Sequence, residues 1–169
     1  AFDVSEKRLN RLKPRLKRSG LSNLFPRWIS NENDVKVKRL AGKVDRVLVD
    51  APCSGLGTLR RNPDIKLRQT PESIEEAKLS QEAILASSAR LLKPGGRLVY
   101  ATCSFLPEEN QEIIENFLAA HAKFTLLNCA ELFMQQKIPL DTGMFLQLYP
   151  GEHNTDSFFA AALTLAKND

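Results

Sequence analysis

Two cysteines follow the same kind of apolar run. Cys53 lies in "VLVDAPCSGLG" (47–57) and Cys103 in "RLVYATCSFLPEEN" (97–110). In each stretch a buried-strand pattern breaks into a turn at the cysteine, so both thiols are expected where a strand ends. A thiolate is a strong nucleophile, and nearby positive charge or a helix N-terminus raises its population. Cys103 precedes a helix expected to open at Pro107, and Asp50 adds a carboxyl group beside Cys53. A lone cysteine after a strand is ordinarily a small buried hydrophobe. Two in matching contexts, one with Asp50 and Pro52 attached, point to covalent chemistry in a shared cleft.

The elements that must position them alternate along the chain. Residues 1–3 read as the tail of a strand. Ser5 caps a helix with Leu9, Leu12 and Leu16 on one face, Gly20 stops it, and Pro14 implies a kink or a late start. Residues 24–30 suggest a strand, and Val44–Val49 form a strong one. After a loop over 51–69, Thr70 and Pro71 open a helix reaching about Leu92, with Ile74, Ala77, Ile84, Ala89 and Leu92 inward, and "KPGG" ends it. Residues 97–102 make the next strand. Pro107, Glu108 and Glu109 begin a helix with Ile113, Ile114, Phe117 and Leu118 on its apolar face. There the alternation stops, and "MFLQLYP" (144–150) with "SFFAAALTLA" (157–166) reads as an antiparallel pair at the sheet's end. The expectation is one domain over 1–169, an open α/β sheet of mostly parallel strands closed by a C-terminal antiparallel hairpin. Ligands of such sheets bind beyond the carboxyl ends of the strands. Cys53, Cys103 and Asp50 all fall there. Asp3 ends the first strand, where an acid accepts hydrogen bonds from ribose hydroxyls; it could equally cap the helix.

Composition limits the classes. With 43% hydrophobic and 26% charged residues in 169, the chain can build a real core. No apolar run approaches the roughly 20 residues of a bilayer span, and no signal-peptide pattern opens the sequence, so no membrane and a cytoplasmic address are expected. Three scattered cysteines without a CxxC, and two histidines, suggest neither a disulfide framework nor a metal site. The net charge of +4 is concentrated early: Lys7, Arg8, Arg11, Lys13, Arg15, Lys17 and Arg18 crowd one segment, and Lys36, Lys38, Arg39, Lys43, Arg60, Arg61, Lys66 and Arg68 follow. That distribution suits an anionic partner, nucleic acid first, or else a solvated helix face.

"DAPCSGLGTLRRNPDIK", "LKPGGRLVYATCSFLPEEN" and "HNTDSFFAAAL" resemble the Sun (Fmu) family of RNA cytosine-C5 methyltransferases, most of all its bacterial small-subunit rRNA members. The resemblance runs from Phe2 and Asp3 almost to the C-terminus. It implies a Rossmann-like, S-adenosylmethionine-dependent methyltransferase sheet and an RNA substrate, small-subunit rRNA. It assigns Cys103 to attack on C6 of the cytosine, Cys53 to product release, and Asp50 to the ring near N3. Asp3 would hold the donor's ribose and Asp34 its adenine; Asp50 borders the donor as well. Pro52 and Lys66 belong to the substrate side. The glycine-rich loop and first strand that the family places ahead of Phe2 do not occur in these residues. The chain is therefore expected to be the C-terminal part of a catalytic domain, inactive alone. "SFF" stands where the family commonly has "GFF", and Leu67 where it often has tryptophan. Two other readings stay open: a non-catalytic RNA-binding module built on the basic helix, and a thiol enzyme unrelated to RNA. The missing CxxC weighs against the latter.

Overall fold

A computed structural model describes residues 1–167, which divide into two compact units, Ala1–Leu40 and Ala41 onward. In the first, β1 (Phe2–Asp3) pairs in parallel with β2 (Arg27–Trp28). Between them runs α1 (Glu6–Ser19), where the Ser5 hydroxyl accepts from the Arg8 N–H at 3.3 Å and Gly20, at φ +66°, ends the helix. The helix is continuous through Pro14. Leu9, Leu12 and Leu16 are half-buried on one side, and the seven basic side chains are exposed. The strand expected over 24–30 shrinks to two residues. Pro26 offers no N–H to a ladder, and the Trp28 indole N–H instead donates to the Val4 carbonyl at 3.1 Å. A short α2 (Val35–Lys38) follows Asp34.

The second unit is built on a five-stranded sheet. β3 (Val44–Asp50) pairs in parallel with β4 (Leu92–Thr102), and β4 pairs antiparallel with β7 (Phe158–Leu165). The other edge of β7 takes β5 (Phe124–Leu127) and β6 (Leu146–Leu148), both antiparallel. Four strands therefore run one way and β7 the other. The loop after β3 contains a 3-10 turn at Leu56–Thr58 and α3 (Ile65–Arg68). Next come α4 (Pro71–Ala89), α5 (Gln111–Ala120), α6 (Cys129–Gln135) and α7 (Pro150–His153). Among the described residues no helix is long and apolar enough to cross a membrane, and no three His, Cys, Asp or Glu side chains gather to hold a metal ion.

Three expectations are corrected. The α4 helix stops at Ala89 rather than near Leu92, because the N–H groups of Gly42, Lys43 and Val44 capture the carbonyls of Arg90 and Leu91 at 2.9–3.0 Å and draw the chain into β4. "KPGG" thus lies within the strand. The α4 face that is most buried carries Gln81, Leu85 and Ala89, whereas Ile74, Ala77 and Ile84 are only half-buried. The alternation does not stop after α5, since β5 and α6 intervene; elements of four and seven residues are too short to show a period. Finally, β7 lies inside the sheet and not at its end. Phe159, Ala161, Ala162 and Leu163 are buried in succession, as a strand covered on both faces requires.

Leu85, Leu98, Tyr100, Ile113, Ile114, Phe159 and Leu163 form the fully buried centre where α4 and α5 cover the sheet. Leu85→Ala is expected to cost about 3 kcal/mol, within the range of roughly 2–5 for such truncations, as a lowered urea midpoint.

Candidate active site

Parallel pairing aligns the ends of β3 and β4. Asp50 stands opposite Ala101, and the Ala51 N–H donates to the Ala101 carbonyl at 2.9 Å. Two or three residues further on, each chain leaves the sheet on the same side, and the Sγ atoms of Cys53 and Cys103 meet at 3.5 Å. Both thiols are half-buried, and Asp50 is exposed at the end of its strand. The structure therefore brings together the two cysteines that the sequence singled out.

The pair titrates asymmetrically. A hydrogen bond between the two sulfurs brings Cys103 down to about 7, against the desolvation of its site and the charges of Asp50 and Glu109. The same bond, with burial, pushes Cys53 well above the usual thiol range. Cys103 is therefore the more readily ionised of the two. In the full-length protein, alkylation of Cys103 by iodoacetamide, followed by mass spectrometry against pH, should show a midpoint near 7 that moves upward in Cys53→Ala. An unmoved midpoint would mean that Cys53 does not tune its neighbour.

A buried polar network holds the two turns in register. Glu109 is wholly buried, and its carboxylate accepts from the Ser54 N–H at 2.7 Å, the Ser54 hydroxyl at 2.5 Å and the Gln81 side-chain N–H at 3.1 Å. Gln81 also donates to the Pro52 carbonyl at 2.9 Å, and Gln69 donates to the Ser54 carbonyl at 2.8 Å. On the Cys103 side, Ser54 and Ser104 share a hydrogen bond at 3.3 Å, Asn110 donates to the Ser104 carbonyl at 3.0 Å, and the Tyr100 hydroxyl donates to the Glu109 carbonyl at 2.8 Å. Each cysteine is thus followed by a buried serine fixed by this network. Sequence reasoning missed Glu109 and Gln81. The available signal was spacing: Glu109, Ile113 and Phe117 recur every four residues, as do Gln81, Leu85 and Ala89.

Gly57 closes the site from the other side. Its N–H donates to the Cys103 carbonyl at 2.9 Å and its carbonyl accepts from the Ser157 N–H at 3.0 Å. A Cβ here would lie 2.6 Å from the Cys103 oxygen and 2.7 Å from the Ser157 oxygen, both backbone atoms. Gly57→Ala is expected to cost about 2–3 kcal/mol through overpacking. Thermal unfolding gives the loss, and the alkylation midpoint of Cys103 shows whether the thiols separate.

The other expected site residues are placed as follows. Pro52 is exposed beside Cys53, and Lys66 is exposed on α3. Cys129 is buried at the start of α6, its thiol raised by burial. In the first unit, Asp3 accepts from the Ser5 N–H and from two Arg8 nitrogens, each at 2.7 Å, and the Arg8 guanidinium keeps its carboxyl below the usual range. Asp34 accepts from the Lys36 N–H at 2.8 Å, the Ser30 N–H at 2.9 Å and the Ser30 hydroxyl at 3.2 Å, and the backbone bonds from Lys36 and Ser30 lower its carboxyl in the same way. A carboxylate offers about four lone-pair sites. Each acid retains one for a hydroxyl or amino donor, so the chemistry of both fits a nucleoside.

The sheet order, the helices on it and the two cysteines beyond its strand ends define a Rossmann-like α/β fold with a thiol pair at its strand ends. A family model, 16S rRNA methyltransferase RsmB/F, matches residues 1–164, and the chain belongs to that family. It is 40% identical over 159 residues to the probable ribosomal RNA small subunit methyltransferase B of Synechocystis, a match covering 94% of this chain and 35% of that protein. A crystal structure of PH0851 superposes with a TM-score of 0.83 at 36% identity, covering 97% of this chain and 36% of that one. The structure of NSun6 from Pyrococcus horikoshii with SFG gives 0.81 at 28% identity, covering 99% and 41%. The chain spans little more than a third of the length of its curated relatives.

Proposed function

We propose that this chain is the C-terminal part of the catalytic domain of an S-adenosylmethionine-dependent methyltransferase acting on C5 of a cytosine in small-subunit rRNA. The observation that carries the reading is the pair of cysteine sulfurs at 3.5 Å, with Cys103 shifted down and Cys53 up, at the aligned ends of two parallel strands. C5 of cytosine is a poor nucleophile. Addition of the Cys103 thiolate to C6 forms a C–S bond and moves an electron pair toward C5, while Asp50 favours the ring protonated at N3. S-adenosylmethionine, when bound, supplies the methyl group that C5 takes; Asp3 and Asp34 would hold its nucleoside. The C5 proton must then leave before the C–S bond can break; once the Cys53 thiol has given its own proton to solvent, its sulfur takes the C5 proton directly or through water. Pro52 and Lys66 border the RNA. Both faces of the base must be exposed, so the target is an unstacked nucleotide in a loop or single strand. The name of the Synechocystis relative and the SFG in the NSun6 structure support the substrate and donor classes.

The test is methylation of small-subunit rRNA by the full-length protein, followed by bisulfite sequencing. A donor-dependent 5-methylcytosine at a defined position is expected; a methyl group on any other atom overturns the reading. Leu48 is 71% exposed, and among the described residues the edge of β3 away from β4 pairs with no strand, which leaves that side of the sheet open. Residues 1–169 alone should accordingly bind S-adenosylmethionine weakly or not at all, and low-micromolar binding by calorimetry would contradict this.

The exposed basic face of α1 supports phosphate contacts. Arg8 is engaged by Asp3, which leaves Arg11 and Arg15 as the informative pair. If each makes one phosphate contact, Arg11→Gln/Arg15→Gln should reduce the log-log salt slope of RNA affinity by about 1.4, at roughly 0.7 per single-strand contact. An unchanged slope would return α1 to a solvated face.

A further inference from the structure

Beside the cysteine pair lies an open cavity of about 370 Å³ whose walls are Leu56, Leu59, Phe105, Tyr149 and Pro150, with Arg60 among them. That is the small end of the roughly 300–1,000 Å³ of ligand pockets. Its lining is almost entirely apolar, yet Phe105 and Tyr149 are 42% and 37% exposed. The cavity adjoins the proposed reaction centre. Gly57, also in its wall, donates to the Cys103 carbonyl, and Phe105 follows Cys103 by two residues, at most about 7 Å of chain.

We propose that this cavity takes a nucleobase of the single-stranded RNA next to the methylated cytosine, an inference that rests on the function proposed above. Two exposed aromatic rings beside proline and leucine provide π-faces for a planar base, and an arginine among them can stack on the base or meet its phosphate. The charge is complementary: residues 60–68 carry Arg60, Arg61, Lys66 and Arg68 against one acid, Asp64. Arg61 is engaged by Asp156 and Arg68 by Asp64, whereas Arg60 makes only a long contact of 3.4 Å to the Asn154 side chain. Such a site tolerates different bases, because every base has a π-face. It would contribute affinity and orientation more than sequence choice.

The experiment uses the full-length protein and a short rRNA oligonucleotide in which an abasic residue, then 2-aminopurine, is placed at each position flanking the target cytosine. Phe105→Ala and Tyr149→Ala should each weaken RNA binding about tenfold, within the range of base–aromatic stacking. That penalty should vanish at the one position where the base has been removed, and 2-aminopurine there should be quenched by the wild type and not by Phe105→Ala. Phe105→Leu keeps the apolar bulk without the aromatic face and should behave like Phe105→Ala. Equal penalties on intact and abasic RNAs at every position would overturn the proposal and leave the cavity to a protein segment. If the wild type leaves cytosine unmethylated while quenching remains position-specific, the function fails and the base site stands. Methylation without any position-specific effect gives the reverse.

Discussion

In the full-length protein, Cys103→Ala is expected to abolish methyl transfer and yield no covalent RNA adduct, whereas Cys53→Ala should accumulate one that survives denaturing electrophoresis. Cys103 is the member whose pKa is lowered and supplies the attacking sulfur; Cys53, raised by the same contact and by burial, becomes a base only after the Cys103 sulfur is committed to carbon and its own thiol proton has passed to solvent. Removing Cys103 removes the only bond between enzyme and base. Removing Cys53 leaves attack possible but takes away the group that accepts the C5 proton, so the methylated adduct cannot eliminate. Some loss of attack rate accompanies Cys53→Ala, because the Cys103 pKa rises with it. Adduct with Cys103→Ala and none with Cys53→Ala would reverse the roles. Labelled RNA on denaturing gels distinguishes these results directly.

Glu109→Ala is expected to be the most damaging single change away from the thiols, at about 3–5 kcal/mol, the range for breaking a buried charged network from one side. It would strand the Ser54 N–H and one of the two Gln81 side-chain N–H groups inside the protein, and leave the Ser54 hydroxyl its longer contacts to Ser104 at 3.3 Å and the Leu56 N–H at 3.4 Å. Glu109→Gln keeps one acceptor oxygen and sets an amide donor against existing donors, so it should lose less. Urea denaturation measures the stability. The role is positional rather than chemical, since Glu109 has no contact with either sulfur among its hydrogen bonds and acts through Ser54 and Ser104. Loss of the Glu109 charge alone would lower the Cys103 alkylation midpoint, so if Glu109 positions the thiols the folded Glu109→Gln protein should instead show a raised midpoint, as the sulfurs separate, and a slower appearance of the Cys53→Ala adduct. A normal or lowered midpoint in a merely less stable protein would limit Glu109 to support of the fold.

The sequence by itself singled out the two cysteines and the strands that end just before them. Apolar runs broken at Cys53 and Cys103 are local patterns, and strand ends follow from local patterns. The Ser5 cap, the Gly20 stop and the Thr70–Pro71 start were legible for the same reason, because a cap is satisfied by atoms three residues away. Tertiary structure decided what depends on partners distant in the chain. The end of α4 was set by amides from residues 42–44, and the central place of β7 by strands 60 and 35 residues earlier, which no window along the sequence contains. Burial of Glu109 and Gln81 was decided there too. Each continues an apolar stripe at a spacing of four, yet a carboxylate on such a stripe is tolerated inside only when donors arrive from elsewhere to meet it, and the Gln81 N–H groups are held by the Pro52 carbonyl and by Glu109 itself. Here the donors come from Ser54, 55 residues before Glu109, across the parallel strand pair that also brings the two sulfurs together.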